Sequence, residues 1–80
     1  MHSCPECGGR MEIRRITHDE RHGGRLFSFT RVPAWVCVQC HAAYLDALVL
    51  EAIENRIAAD VEPTTFERIP VYDLQEVAHG

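Results

Sequence analysis

Apolar and polar residues alternate along this chain with two different periods, and the point where the period changes divides it. Met11-Glu12-Ile13-Arg14 switches between apolar and charged residues, as a half-buried strand does. Asp19-Glu20-Arg21-His22-Gly23-Gly24 is a polar run ending in a glycine pair, which predicts the turn of a hairpin. Leu26-Phe27-Ser28-Phe29-Thr30-Arg31-Val32 returns to a strand pattern, with Phe27 and Phe29 on one face. Pro33 is expected to end that strand, with Ala34-Trp35-Val36 leading onward. From about Ala47 to Ala59 the period becomes 3.6, with Asp46 as N-cap and Leu45 reaching Leu50 as a hydrophobic staple. Leu48, Ala52, Val49, Ile53, Arg56 and Ile57 recur at helical steps, with Leu45, Val49, Ile53 and Ile57 making an apolar stripe. Such a stripe is a core face or, on a small protein, a partner surface. Asp60 to Thr65 reads as a linker. Phe66 to Leu74 is then strand-like with Pro70 inside it, a strand suited to a sheet edge or to pairing with another chain.

Length limits how much of this pattern one chain can bury. Eighty residues make one domain, read here as a folded unit at 1–59 followed by a linker and tail at 60–80. A core of that size supplies only about 3–5 kcal/mol, so a further staple is expected. The 25% charged fraction argues against both disorder and a membrane span. The longest apolar stretch, near Ala42 to Leu50, is interrupted by Asp46 and too short to cross a bilayer. Met1-His2-Ser3-Cys4 lacks the basic and apolar regions of a secretory signal, so a reducing cytoplasm is the expected compartment. A net charge of −4 counts against nucleic-acid binding by the whole chain.

The cysteines supply the staple. Cys4-Pro5-Glu6-Cys7 and Cys37-Val38-Gln39-Cys40 are two C-x2-C pairs separated by 29 residues. In a reducing compartment that pattern reads as a four-thiolate metal site rather than two disulfides. Two intervening residues let the backbone curl so that both sulfurs point inward while N–H groups bond back to them. Gly8 and Gly9 follow the first pair, where freedom to take positive φ helps that curl. Four thiolates suit one structural Zn²⁺ per chain or a single iron. With all four ligands from protein, no position is open to substrate, and no other catalytic constellation stands out, so no enzyme activity is expected. The expected fold is small α+β: zinc-ribbon-like β-hairpins with two zinc knuckles, then one helix and a C-terminal edge strand.

Taken in order, these motifs resemble a known family. Cys4-Pro5-x-Cys7-Gly8-Gly9, the Gly23-Gly24 hairpin, Val32-Pro33-Ala34-Trp35-Val36-Cys37-x-x-Cys40 and Tyr44-Leu45-Asp46 opening a helix look like the YgiT-type zinc finger. That is the N-terminal zinc domain of MqsA-type antitoxins, and the likeness covers about residues 2–59. Ile69-Pro70-Val71-Tyr72-Asp73-Leu74 resembles the tail of short stand-alone members. The resemblance implies a structural zinc at Cys4, Cys7, Cys37 and Cys40 and a role in binding a cognate toxin-like protein, a ribonuclease-type toxin in that family. Longer antitoxins continue into a helix-turn-helix domain that binds operator DNA; this chain reaches Gly80 without one, so DNA binding is not carried over. His41 stands where a glycine is common and is expected beside the site rather than as a ligand. His2, His18, His22 and His79 are read as surface residues. A homodimer through the helix and C-terminal strand is also expected, with no membrane partner.

Two other readings stand beside this one. Cys-x2-Cys-Gly and Trp35-Val36-Cys37-x-x-Cys40 also resemble rubredoxin, whose four cysteines hold one iron for electron transfer. Against it, Arg10 to Arg15 replaces the aromatic and acidic residues expected after the first knuckle, and the helix has no place in that fold. The other is a nucleic-acid-binding zinc ribbon. Arg10, Arg14, Arg15, Arg21, Arg25 and Arg31 outnumber Glu12, Asp19 and Glu20 in the hairpin, leaving that half basic and the rest acidic.

Overall fold

The computed structural model describes residues 2–77. Strand β1 (Met11–His22) and strand β2 (Arg25–Cys37) form a long antiparallel hairpin. Strand β3 (Ala43–Tyr44) adds to the far side of β2 at Trp35 and Val36, giving the order β1-β2-β3. One main helix, α1 (Ala47–Ala58), follows. The α+β class and the hairpin plan are as expected.

The hairpin is longer than its apolar alternation suggests. Asp19 to His22 were expected in the turn, yet they pair with Ser28 to Arg25 and the turn is Gly23-Gly24 alone. Both glycines have positive φ, 58° and 80°, the conformation whose twist matches the flanking strands. Nor does Pro33 end β2. Val38 N–H donates to Arg10 O across the hairpin, so every second pair counted back from there is hydrogen-bonded. Pro33, opposite Arg15, falls between those bonded pairs, and its missing N–H would have faced away from β1. On that side β3 reaches only Trp35 and Val36, so the proline breaks no ladder bond.

Between Ile16 and His18 the register slips by one: Ile16 faces Val32, whereas His18 faces Phe29. The extra residue lies on β2, where Arg31 takes φ 55° and its carbonyl accepts the Arg15 guanidinium at 3.3 Å. This bulge exchanges the parity of β2. Val32 and Ala34 on one side of it, and Phe27 and Phe29 on the other, therefore share one sheet face despite their even and odd numbers.

Helix α1 covers that face. Ile53 is buried, and Val49 and Ile57 half-buried, along with Val32 and Ala34 buried in β2. The stripe at Leu45, Val49, Ile53 and Ile57 is thus a core face, while Leu48, in the broader periodic set, is 79% exposed. Asp46 holds the N-cap position in an extended conformation, but its side chain makes no cap bond. Its carbonyl accepts the Val49 and Leu50 N–H groups instead, each at 3.0 Å. Arg56 in the last turn suits the negative end of the helix.

The expected C-terminal strand does not form among the described residues. Phe66 to Asp73 is irregular and exposed, and a single turn, α2 (Leu74–Val77), follows it. The physical reason is local: Pro70 has no N–H to offer a ladder, and Asp73 Oδ1 accepts the Gln75 N–H at 2.9 Å, capping the turn. The tail does not complete a core: its apolar residues Phe66, Ile69, Val71, Tyr72 and Leu74 are all exposed. No helix among the described residues is long and apolar enough to cross a membrane.

Candidate metal centre

The open end of the hairpin carries both C-x2-C pairs. Cys37 is the last residue of β2, and the first pair lies just before β1, tied by a bridge between Ser3 and Arg10. The Sγ atoms of Cys4, Cys7, Cys37 and Cys40 lie within 4.8 Å of one another. Cys4 and Cys40 sulfurs are 3.7 Å apart, and those of Cys7 and Cys37 3.4 Å. Four sulfurs about 2.3 Å from one tetrahedral ion would be separated by about 3.8 Å, so the cluster has nearly the dimensions a metal requires. The same separations are far beyond the ~2.05 Å of a disulfide, and the four cysteines are free.

Each knuckle is closed by the same backbone bonds. Gly8 N–H donates to Cys4 O at 2.8 Å, and His41 N–H to Cys37 O at 3.0 Å. Cys4 N–H donates to Gly9 O, and Cys37 N–H to Ala42 O. Further N–H groups point at sulfur: Gly9 to Cys7 at 3.3 Å, and Gln39 and Cys40 both to Cys37 at 3.4 Å. Such donors stabilise thiolate charge. The Cys40 N–H, with that of Gln39 and against the effect of burial, lowers the Cys37 thiol to about 6. Cys4 is lowered in the same manner by the Cys7 N–H, with burial opposing and Glu6 assisting. Cys40 receives the Ala42 N–H, yet the neighbouring Cys7 sulfur and burial push it up to about 12. Cys7 receives the Gly9 N–H but is raised by the Cys37 sulfur. The backbone donors thus favour thiolate at the buried first cysteine of each knuckle more than at the second; a cation at the centre would allow all four to be thiolates.

Behind the cysteines lies the second core. Cys4, Met11 and Cys37 are buried together, with Trp35, Ala42 and Tyr44 packed against them. Trp35 and Tyr44 are paired across β2 and β3, so they share a face. Burial, with the charges of Glu6 and Cys4, raises the Tyr44 phenol.

All four sequence-read ligands are therefore brought together, and among the described residues His41 is not part of the cluster. Instead His41 sits at φ 67°, the position where the first knuckle has Gly8 at φ 75°. Gly9 acts differently from Gly8: a Cβ there would meet Gln39 Cβ at 2.8 Å, Cys37 Sγ at 3.0 Å and Cys7 Sγ at 3.2 Å. It is needed for close approach of the two knuckles, and its position directly after a ligand-glycine pair was the only signal of that. The N–H donors to sulfur are backbone groups, invisible to a reading of side chains. Among the other histidines, His2 and His22 are exposed as expected. His18 is not a plain surface residue: its Nε2 is buried on the helix-covered face with no hydrogen-bond partner among the described residues, 3.6 Å from Glu20 Oε1. His79 lies outside the described residues.

Compared with family models, curated proteins and solved structures, the chain gives no match in any of the three.

Proposed function

We propose that the chain is a small protein-interaction module stapled by one structural Zn²⁺ on Cys4, Cys7, Cys37 and Cys40, and that it is the antitoxin-like partner of a toxin–antitoxin pair. The observation that carries the metal half is the four-sulfur cluster, with a separation at most 4.8 Å and backbone donors aimed at its sulfurs. When bound, zinc supplies charge compensation and a rigid cross-link between the two ends of the hairpin. A closed four-thiolate set leaves no coordination position for a reactant, so the module acts by binding and not by catalysis. The antitoxin half rests on the resemblance of residues 2–59 to the YgiT-type zinc finger, and the cytoplasm is the compartment that keeps such thiols reduced.

Elemental analysis of purified protein tests the metal: about one zinc per chain, colourless, is the expected result, and red, iron-containing protein would replace this reading with electron transfer. The partner is tested by co-expression with the product of the neighbouring gene. A small toxic protein that is neutralised and co-purifies supports the assignment; a neighbouring protein that is neither toxic nor bound removes it.

A further inference from the structure

A cleft of about 1240 Å³ lies between β2 and the chain's own segment Asp60 to Ile69, with α1 along one side. Its two walls carry opposite charge. Arg25 and Arg31 of β2 and Arg56 of α1 line it against Asp19 of β1, whereas Asp60, Glu62 and Glu67 line the segment's side. The acidic excess of the cleft is thus confined to one wall, and the other wall is basic. Apolar residues stand on both: Phe27, Phe29 and Val32 on β2, and Val61, Phe66 and Ile69 opposite. Phe66 is 84% exposed and Ile69 57%, so both leave apolar surface in water that closure of the cleft would remove.

The edge of β2 toward the cleft is open. His22 and Arg25 close the two-residue turn as a bonded pair, so Leu26 and Ser28 turn their N–H and C=O groups away from β1. On that side β3 reaches only Trp35 and Val36. A bare edge of this kind is a template for other chains, and proteins commonly cover it. The chain brings a cover to the correct end. Helix α1 finishes with Ile57 and Ala58 beside Glu20 and His22, at the glycine-turn end of the hairpin. Asp60 then takes φ 50°, a left-handed step that turns the chain off the helix. The segment therefore starts level with Arg25 and, as it continues along the cleft, follows β2 in the parallel sense. Between Pro63 and Pro70, every residue from Thr64 to Ile69 keeps the N–H a ladder needs.

We propose that Thr64–Ile69 is a strap that closes the cleft by adding to the free edge of β2 beside Leu26 and Ser28, as a fourth strand from the same chain. In an extended strap Phe66 falls on one face and Glu67 and Ile69 on the other. With Phe66 toward α1 it joins Phe27 and Phe29 on the helix-covered face, and Ile69 lies on the opposite face with Leu26. Closure buries Phe66, pairs the edge and brings the acidic wall onto the basic one; opening bares the edge again. The strap is a reversible guard on that edge. Both walls belong to one chain, so the device stands apart from the proposed toxin partner.

Amide hydrogen exchange of the zinc-loaded full chain, read by NMR at Leu26 and Ser28, tests the proposal. Both amides are expected to exchange about tenfold or more slowly than in Phe66→Asp, at every protein concentration. The double variant Phe66→Pro/Glu67→Pro takes an N–H from each side of the strap and is expected to speed them likewise. Zinc content and circular dichroism should stay unchanged in both variants, since Phe66 and Glu67 are exposed outside the hairpin and helix. Leu48→Asp, on the exposed helix surface, is expected to leave the two amides slow. Fast exchange at both amides in the unaltered chain overturns the proposal. So does slow exchange that survives both strap variants, or that appears only as protein concentration rises, which would put a second copy on the edge.

Discussion

The two knuckles are built on one backbone plan from different residues. In each, the first cysteine is buried and lowered in pKa, while the second is exposed and raised. The closest sulfur contacts run from the first cysteine of one knuckle to the second of the other. Where the plans coincide, the residues after the cysteines do not: Gly8 and Gly9 in the first knuckle stand where His41 and Ala42 stand in the second. The lesson is that the two knuckles share a hydrogen-bond skeleton whatever residues follow the cysteines, and that skeleton holds His41 in a conformation an L-residue adopts only at a cost. Gly9 is the asymmetric member, since the second knuckle crowds it while Ala42 has room for its methyl group against the core.

The largest expected effect breaks both knuckles at once. Structural zinc in small fingers is worth about 10–16 kcal/mol at neutral pH, more than this core supplies, so chelation should unfold the hairpin as followed by circular dichroism. Retention of the native spectrum in strong chelator would refute the metal clamp. Replacing one ligand then tests the asymmetry within each knuckle: Cys4→Ser and Cys37→Ser should lose more zinc affinity than Cys7→Ser and Cys40→Ser, because each buried sulfur has two backbone N–H groups favouring its thiolate and each exposed one has a single such group. Next in size is Gly9→Ala, expected to cost about 1–3 kcal/mol as the knuckles are forced apart. Ala42→Gly at the matching position should cost no more than about 1 kcal/mol in thermal melts of the zinc form. Smaller still are two substitutions of opposite sign. Gly8→Ala should destabilise by about 1 kcal/mol, and His41→Gly should stabilise by about 0.5–1 kcal/mol. Equal responses at the two positions would end the comparison.

The smallest effect lies just outside the first knuckle. Glu12 accepts from Arg14 at 2.7 Å and Arg10 at 3.0 Å, and the Arg14 hydrogen bond holds its carboxyl below the usual range. A depressed carboxylate stabilises the fold above its unfolded pKa, near 4.3, and that contribution is lost as pH falls through the folded value. Glu12→Gln should therefore lower the melting temperature slightly at neutral pH and not at all in strong acid, with 1 M salt erasing most of the difference.

Much of this was legible in the sequence for identifiable reasons. The cysteine spacing carries the site because the knuckle bonds span fixed numbers of residues, and the 3.6 period of α1 appears because one face meets the sheet. Pro33 misleads because a sequence does not say which side of a strand faces its partner. The bulge is hidden because its positive-φ residue is Arg31 and not glycine. The tail reads as a strand from its apolar residues, yet a strand exists only when something pairs with it, and within one described chain nothing does.

A hairpin closed at Gly23-Gly24 and again at the cysteines also orders events in time. The glycine turn joins adjacent residues, so pairing can begin there and travel toward the knuckles on the ~1–10 μs scale of hairpin formation. The sulfurs of Cys7 and Cys37, with 29 residues between them along the chain, meet only when that zipper has nearly finished. On the proposed zinc reading, metal capture would then come last in folding and metal release first in unfolding. With zinc bound as proposed, the lifetime of the folded protein would be set by how quickly the ion leaves, and a competing chelator in the surroundings would act directly as a clock on the protein's persistence.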